Sequence, residues 1–304
     1  MEKIKLKVEK IASPVRIDKY LSDKFTNYSR EFIKLLCKNQ LVKINGQYAE
    51  PDFRIKENDE IEISFPHRDE YVVGEVEKLS IIYEDEDILV INKPPFLKVH
   101  PSKNFDPEIT LIDLLSKKIP QKPDFVWPLN RPYLVHRLDK ETSGVLIVAK
   151  NPQAQYQISK QFKQRQIKKV YRCMVFGEIK DKEGEIIAPI KKEKHISKVA
   201  SIGKQAVTRF KLLSFKNNIS YLEVYPFTGR THQIRAHLSF IGYPLLGDLM
   251  YHGVSKIENI KIPRVMLHAY SIEFIHPGRQ TWQKYIAEYP EDFKFLLSYF
   301  SLES

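Results

Sequence analysis

Apolar positions recur at helical spacing twice near the start of the chain. Pro14-Val15-Arg16-Ile17-Asp18-Lys19-Tyr20-Leu21 opens a helix with Ile17, Tyr20 and Leu21 on one face. A second helix is predicted from Ser29, a natural N-cap, with Phe32, Ile33, Leu35 and Leu36 as its stripe. The period then drops to two. Leu41-Val42-Lys43-Ile44 reads as a short strand ending at Asn45-Gly46, a hairpin signal, and Ile61-Glu62-Ile63 alternates as a closing strand. Helix–helix–hairpin over residues 1–65 predicts a small α+β domain, too small for an enzyme and of a size that suits binding. Residues 66–77, with Pro66 and Gly74, read as a linker.

From residue 78 to 304 the pattern changes. Short apolar runs at Leu79–Tyr83, Ile88–Asn92, Val145–Ala149, Val170–Phe176 and Tyr221–Tyr225 predict strands. Two helical stretches, Leu111–Lys118 and Ala154–Gln164, lie among them. Interleaving of this kind predicts an α+β domain on a largely antiparallel sheet.

The 304 residues suit two domains, and 42% apolar content is enough for a core, which argues against wholesale disorder. Two cysteines exclude a disulfide scaffold and a cysteine-rich zinc site. The start, MEKIKLKVEK, is charged throughout, and no apolar run approaches a membrane span, so a soluble cytoplasmic protein is expected. Only 11 glycines occur, which points to glycine kept where the backbone needs it.

Charge narrows the partner. A formal net charge of +11 suggests a polyanion. It is unevenly spread. Residues 19–43 carry six basic side chains, among them Arg30, Lys34 and Lys38, against two acids, whereas residues 44–65 carry two basic side chains and six acids. Residues 160–172 add Lys160, Lys163, Arg165, Lys168, Lys169 and Arg172 with no acid, a run that can track a nucleic-acid backbone or form a solvated helix end. His232 and His237 lie five apart without a nearby cysteine, so no metal site is expected; hydrogen bonding within their motif is the better reading.

The densest chemistry lies in Val135-His136-Arg137-Leu138-Asp139-Lys140-Glu141-Thr142-Ser143-Gly144, followed by the apolar run Val145–Ala149. Thr142-Ser143-Gly144 is turn chemistry and puts Asp139 on a loop at a strand end, where catalytic groups tend to lie. The same residues also fit a surface hairpin in which Asp139 makes an Asx-type turn.

Two resemblances sharpen this reading. R-x-D-x-x-L from Arg16, S-R-x-x-x-x-x-L from Ser29 and V-x-I-N-G from Val42 resemble the S4-like RNA-binding domain. HRLDKETSG at 136–144 resembles the signature of the RluA-type pseudouridine synthases. Further segments are similar in the same order. They are Tyr83–Pro94 with Val99-His100-Pro101, Gln161 to Gly177 around Tyr171, Thr228–His237 with Gly242–Asp248, Leu267-His268-Ala269 and His276-Pro277. The similarity covers roughly residues 78–280.

That resemblance implies the pseudouridine synthase fold, with a mixed, largely antiparallel central sheet. It makes Asp139 the catalytic aspartate, Arg235 its ion-pair partner and Tyr171 the active-site tyrosine. The RNA-binding candidates are His136, Arg137, Arg16, Arg30, Lys34, Lys38, Lys168, Lys169 and Arg230. The reaction needs no redox step or group donor, so no cofactor is expected, and the partner is RNA, by analogy large-subunit ribosomal RNA, acted on by a monomer. A carboxylate in a closed pocket needs a cation beside it, and Arg can engage it bidentately. One departure stands out. The family usually has a glycine shortly after NKP, and this chain has Phe96. Phe resists φ > 0, so a locally different turn is expected there. A non-catalytic RNA-binding or ribosome-assembly factor on the same fold is the competing reading; a glycosidase is weaker, for want of a second carboxylate beside Asp139.

Overall fold

The computed structural model describes residues 2–9, 11, 13–25, 30–38, 40–65, 79–100, 110–118, 133–194 and 196–302. The expected linker 66–77 and the expected cap Ser29 lie outside these residues. The chain forms two compact units, one drawn from residues 1–76 and 100–114 and the other from 77–99 and 115–304.

In the first unit, helices α1 (Ile17–Lys24) and α2 (Arg30–Lys38) pack beside strands β1 (Glu2–Lys7), β2 (Val42–Ile44), β3 (Gln47–Tyr48) and β4 (Glu60–Phe65). The sheet order is β1-β4-β2-β3, antiparallel throughout. Ile17, Leu21, Ile33, Leu36, Val42, Ile44, Ile61 and Ile63 form its core. Asn45 (φ 50°) and Gly46 (φ 84°) both take positive φ, which is the hairpin turn their pairing predicts. β1 was hidden by its charges. Its lysines alternate with Ile4 and Leu6, which pack against the core, while Lys3 and Lys5 reach Glu62 on β4.

Among the described residues the second unit is built on a ten-stranded sheet. Its strands are β5 (Ser80–Glu84), β6 (Ile88–Lys93), β7 (Ser143–Ala149), β8 (Lys168–Phe176), β9 (Glu183–Ile187), β10 (Val207–Lys216), β11 (Ile219–Pro226), β12 (Leu267–Ile275) and β13 (Trp282–Ile286). The order is β9-β10-β11-β8-β12-β7-β6-β5, with β13 on β12 and the two-residue strand Tyr133–Leu134 on β7. Only β7 and β12 run parallel; the other pairs are antiparallel, so the sheet is mixed and largely antiparallel as expected.

All seven residues of β7 are buried, which explains its continuous apolar run. Gly144 allows the parallel pairing. A Cβ there would lie 2.2 Å from the Ala269 carbonyl oxygen, and its φ is +115°. Helices α3 (Leu111–Lys118) and α4 (Pro152–Lys163) occupy the two predicted stretches. α4 starts two residues before its apolar periodicity because Asn151 accepts the Ala154 N–H at 2.8 Å and Pro152 suits the first turn. Two helices were not anticipated, α5 (Gln233–Phe240) and α6 (Glu291–Tyr299). Among the described residues no helix is long and apolar enough to cross a membrane.

Candidate active site

The loop from Val135 to Lys140 leads from Leu134 towards β7 and carries Asp139. Its backbone is held from several sides. The Thr142 N–H donates to the Asp139 carbonyl at 3.1 Å, the Arg264 guanidinium to the Glu141 carbonyl at 2.9 Å, and the Lys93 ammonium to the Lys140 carbonyl at 3.3 Å. Glu141 answers by accepting the Val265 N–H at 3.0 Å. Arg264 is itself locked bidentately to Asp292 in the first turn of α6, at 2.6 and 2.9 Å. The side chain of Asp139 is not spent on an Asx turn; it faces a cavity of about 580 Å³ that Tyr171 and Arg235 also line.

The cation next to Asp139 is Arg235, whose Nη1 stands 3.4 Å from Oδ2. Arg235 rises from the first turn of α5, where it is almost fully buried. Its bidentate partner is a second carboxylate. Nε and Nη2 both bond Asp248, each at 2.7 Å, and Asp248 is buried. Asp248 thus orients the guanidinium and leaves Nη1 for Asp139. Gly247 makes room for it, since a Cβ there would lie 1.7 Å from the Arg264 carbonyl oxygen. Burial lowers the pKa of Arg235, but Asp248 and then Asp139 outweigh that and raise it, so the group stays cationic.

Sequence motifs assemble this corner locally. Gln233 accepts from the Thr228 hydroxyl at 2.6 Å and the Arg230 N–H at 3.0 Å, and donates to the Val207 carbonyl at 3.0 Å. His232 precedes the helix in the left-handed region (φ 53°) and sets Nε2 3.7 Å from Asp139 Oδ2. Its Nδ1 meets the Tyr251 hydroxyl at 3.0 Å, and the Arg235 guanidinium lies over the Tyr251 ring, 4.9 Å from its centre. His237 is a core residue that bonds Thr208 (2.9 Å) and the Ala188 carbonyl (3.0 Å), outside its own motif. Burial of Tyr171, with the nearby Asp139 charge, raises its phenol pKa and keeps it protonated.

The expected RNA contacts divide. His136, Arg137, Lys169 and Arg230 line the cavity, with Lys163 and Arg165. His136 already has a task. Its Nε2 accepts the Ile147 N–H at 2.9 Å, and burial, then Lys169, lowers its pKa to about 3, so it is neutral. Lys169 donates to the Thr228 carbonyl at 3.3 Å, and burial lowers its pKa to about 8. The basic run of 160–172 is not one surface. Strand alternation turns Lys168 and Arg172 to the opposite face of β8, where Lys168 pairs with Glu273 (2.7 Å) over Trp282, and Arg172 pairs with Glu223. In the first unit, Arg16 and Arg30 both bond the buried Asp18 at 3.1 Å, and Lys34 lies 3.9 Å from it. One carboxylate thus organises three of the predicted cations there. Lys38 is exposed at the end of α2.

The Phe96 expectation is overturned. Phe96 adopts φ 65°, the conformation glycine favours. The reason lies in Lys93, which is wholly buried and donates to the carbonyls of Pro94 (2.7 Å) and Leu97 (2.9 Å) as well as Lys140. Two of these acceptors, the Pro94 and Leu97 carbonyls, tie both ends of the 94–97 turn to one ammonium, and half of the Phe96 surface stays in solvent. Burial and the Arg264 charge push the Lys93 pKa down to about 7, against the pull of Asp139.

Asp85, Asp87 and His276 bring potential metal ligands within 4.8 Å of one another. His276 Nδ1 accepts the Gly278 and Arg279 N–H groups, and its buried Nε2 lies 2.9 Å from Asp85 Oδ2 without a hydrogen bond to it. Asp85 also caps the β5–β6 turn. The cluster braces the β5–β6 hairpin through Asp85.

A mixed sheet thus carries a carboxylate, a phenol and a guanidinium in one basic-rimmed cavity, the make-up of a candidate active site for an anionic ligand. Comparison with known proteins makes the class specific. Residues 87–240 match the RNA pseudouridylate synthase family and residues 15–61 the S4 domain. An uncharacterized RNA pseudouridine synthase of Aquifex aeolicus is 36% identical over 98% of this chain and 97% of its own length. Ribosomal large subunit pseudouridine synthase D of Borreliella burgdorferi is 35% identical over 94% of this chain and 90% of its own. Among solved structures, human RNA pseudouridylate synthase domain containing 1 aligns with a TM-score of 0.57 at 30% identity, covering 71% of this chain and 85% of that one. The chain belongs to the RNA pseudouridylate synthase family and is a pseudouridine synthase with an S4 domain at its N-terminus.

Proposed function

We propose that the chain isomerises uridines in large-subunit ribosomal RNA, with Asp139 as the catalytic carboxylate. The observation that carries this is the convergence of Asp139, Arg235 and Tyr171 on one cavity, with Arg235 Nη1 3.4 Å from Asp139 Oδ2. In the reaction the N1–C1′ bond of uridine breaks, the base turns, C5 bonds to C1′, and the C5 proton leaves as N1 regains one. Two routes begin from an ionised Asp139. It attacks C1′ as a nucleophile, or it removes a ribose proton while stabilising positive charge at C1′. Arg235, 3.4 Å away, is the countercharge to that carboxylate in either route. Tyr171, protonated through burial, stacks on the base and hydrogen-bonds to it.

The target base must leave its stack at a cost of a few kcal/mol. Arg137 at the mouth holds the displaced backbone, and the neutral His136 braces β7 behind it. Lys163, Arg165, Lys169 and Arg230 meet neighbouring phosphates. The small N-terminal domain, residues 1–65, docks RNA through Arg16, Arg30, Lys34 and Lys38. The ribosomal substrate follows the relatives named ribosomal large subunit pseudouridine synthase D. A purely binding role is disfavoured because binding alone needs none of the trio Asp139, Tyr171 and Arg235.

The test is to delete the gene, restore it as wild type or Asp139→Asn, and map pseudouridine across cellular RNA. Wild type restores specific ribosomal positions and Asp139→Asn does not. Equal restoration by both refutes the assignment of Asp139, and loss confined to another RNA refutes the substrate.

A further inference from the structure

His232 sits in a conformation that L-residues adopt at a cost, φ 53° and ψ 25°, at the mouth of α5. It does not cap the helix, for its side chain makes no cap hydrogen bond. The ring instead points two ways. Nε2 faces Asp139 Oδ2 at 3.7 Å, and Nδ1 faces the Tyr251 hydroxyl at 3.0 Å. Tyr251 is buried, and its oxygen already accepts the Ser197 N–H at 2.8 Å. That leaves the phenolic proton to be placed, and His232 Nδ1 is the acceptor beside it. A neutral imidazole that accepts at Nδ1 carries its proton on Nε2, toward Asp139.

We propose that His232 is a positioning residue for Asp139: Tyr251 holds it as the Nε2–H tautomer, it donates to Oδ2, and Oδ1 is left for the uridine. With Arg235 Nη1 on the same oxygen, the carboxylate is oriented as well as neutralised. The 3.7 Å separation closes to a hydrogen bond when substrate fills the cavity, as catalytic contacts commonly tighten on binding. The charged and titratable groups around the imidazole are Asp139 and Arg137 from the loop, Arg235 from α5, and Asp248 and Tyr251 from the segment that follows. Burial lowers the His232 pKa more than Asp139 raises it, which agrees with a neutral ring. This inference rests on the function proposed above.

Two measurements on the full chain test it. Nitrogen-15 NMR of the imidazoles reports the tautomer directly. Wild type shows His232 protonated on Nε2, and Tyr251→Phe, which keeps the ring over Arg235, shows a mixture of tautomers. Turnover is then followed on large-subunit ribosomal RNA from cells lacking the gene. Tyr251→Phe loses about tenfold in kcat, the equivalent of one hydrogen bond to a charged group, with KM within twofold. His232→Gln, whose amide can still donate, retains more activity than His232→Ala. A Tyr251→Phe enzyme with wild-type tautomer and kcat overturns this inference alone. A wild-type chain that forms no pseudouridine in that RNA overturns the function and this inference together.

Discussion

Two carboxylates stand beside Arg235, and the geometry gives them opposite duties. Asp248 is buried and makes two 2.7 Å bonds to the guanidinium, whereas the side chain of Asp139 is 23% exposed and meets it once at 3.4 Å. Replacing Asp248 with Asn keeps shape and one acceptor oxygen but removes the counterion of a buried cation. Uncompensated buried charge of this kind costs about 3 kcal/mol. In a unit of this size that lowers the melting temperature by about 6–12 °C. Arg235 then has Asp139 as its remaining anion and is drawn toward it, so kcat falls about tenfold or more. Asp139→Asn should do the reverse, with melting within about 2 °C of wild type and at least a thousandfold loss of turnover. The assay is calorimetry beside single-turnover pseudouridine formation. An Asp248→Asn protein that melts and turns over like wild type would show that Asp248 does not hold Arg235, and the electrostatic account of the site would fail.

Three further outcomes follow from particular residues. At Phe96 (φ 65°), Phe96→Gly should unfold within about 1 kcal/mol of wild type, while Phe96→Val, β-branched in a left-handed turn, should lose about 1–2 kcal/mol; equal values in urea titrations would refute the strain. Gly144→Ala sets a Cβ 2.2 Å from the Ala269 carbonyl and should cost about 3 kcal/mol or more, read by the same titration, unless β7 and β12 can part. His268 is fully buried, accepts at Nδ1 from Ser143 (2.9 Å) and donates at Nε2 to the Ala287 carbonyl (3.2 Å); burial lowers its pKa to about 4. Between pH 6.5 and about 4 the unfolded chain binds a proton that the folded chain does not, so stability falls with falling pH by up to about 3 kcal/mol. The loss ends below about 4, and a His268→Gln protein with the same pH slope as wild type would refute the assignment.

Local pattern made much of this legible. Alternation at 41–48 and the Asn45-Gly46 pair specify the hairpin, because turn chemistry and strand period act over a few residues. The apolar run at 145–149 announces a buried strand, and HRLD marks the loop before it, because a polar break in an apolar run has few other uses. The roles expected of Asp139, Tyr171 and Arg235 came from resemblance; bare residues left Asp139 open between a catalytic loop and a surface turn. Other features escaped. β1 reads as a charged tail until Glu62 and the core supply partners for its two faces. The six basic residues of 160–172 look like one patch until the pleat of β8 sends Lys168 and Arg172 to the face opposite Lys169 and Tyr171. Phe96 argues against a left-handed turn on its own propensity. The Pro94 and Leu97 carbonyls gathered by the buried Lys93 override that, since tertiary hydrogen bonds outweigh a local cost of about 1 kcal/mol.

Residue order alone therefore determined the local elements, the hairpin at 41–48, the buried strand at 145–149 and the polar loop before it, and through resemblance it nominated the candidate side chains. Those elements depend on neighbours a few positions apart, whose interactions survive in any short segment. Folding in three dimensions decided the partnerships. Asp248 rather than Asp139 grips Arg235, Arg264 ties the Asp139 loop to α6, and Tyr251 faces His232. Each of these joins groups 13 to 123 positions apart along the chain, or stands on a hydroxyl contact 19 positions away. No periodicity encodes such pairings. They arise because a buried charge or polar atom must find a partner, and only the packed sheet determines which one is within reach.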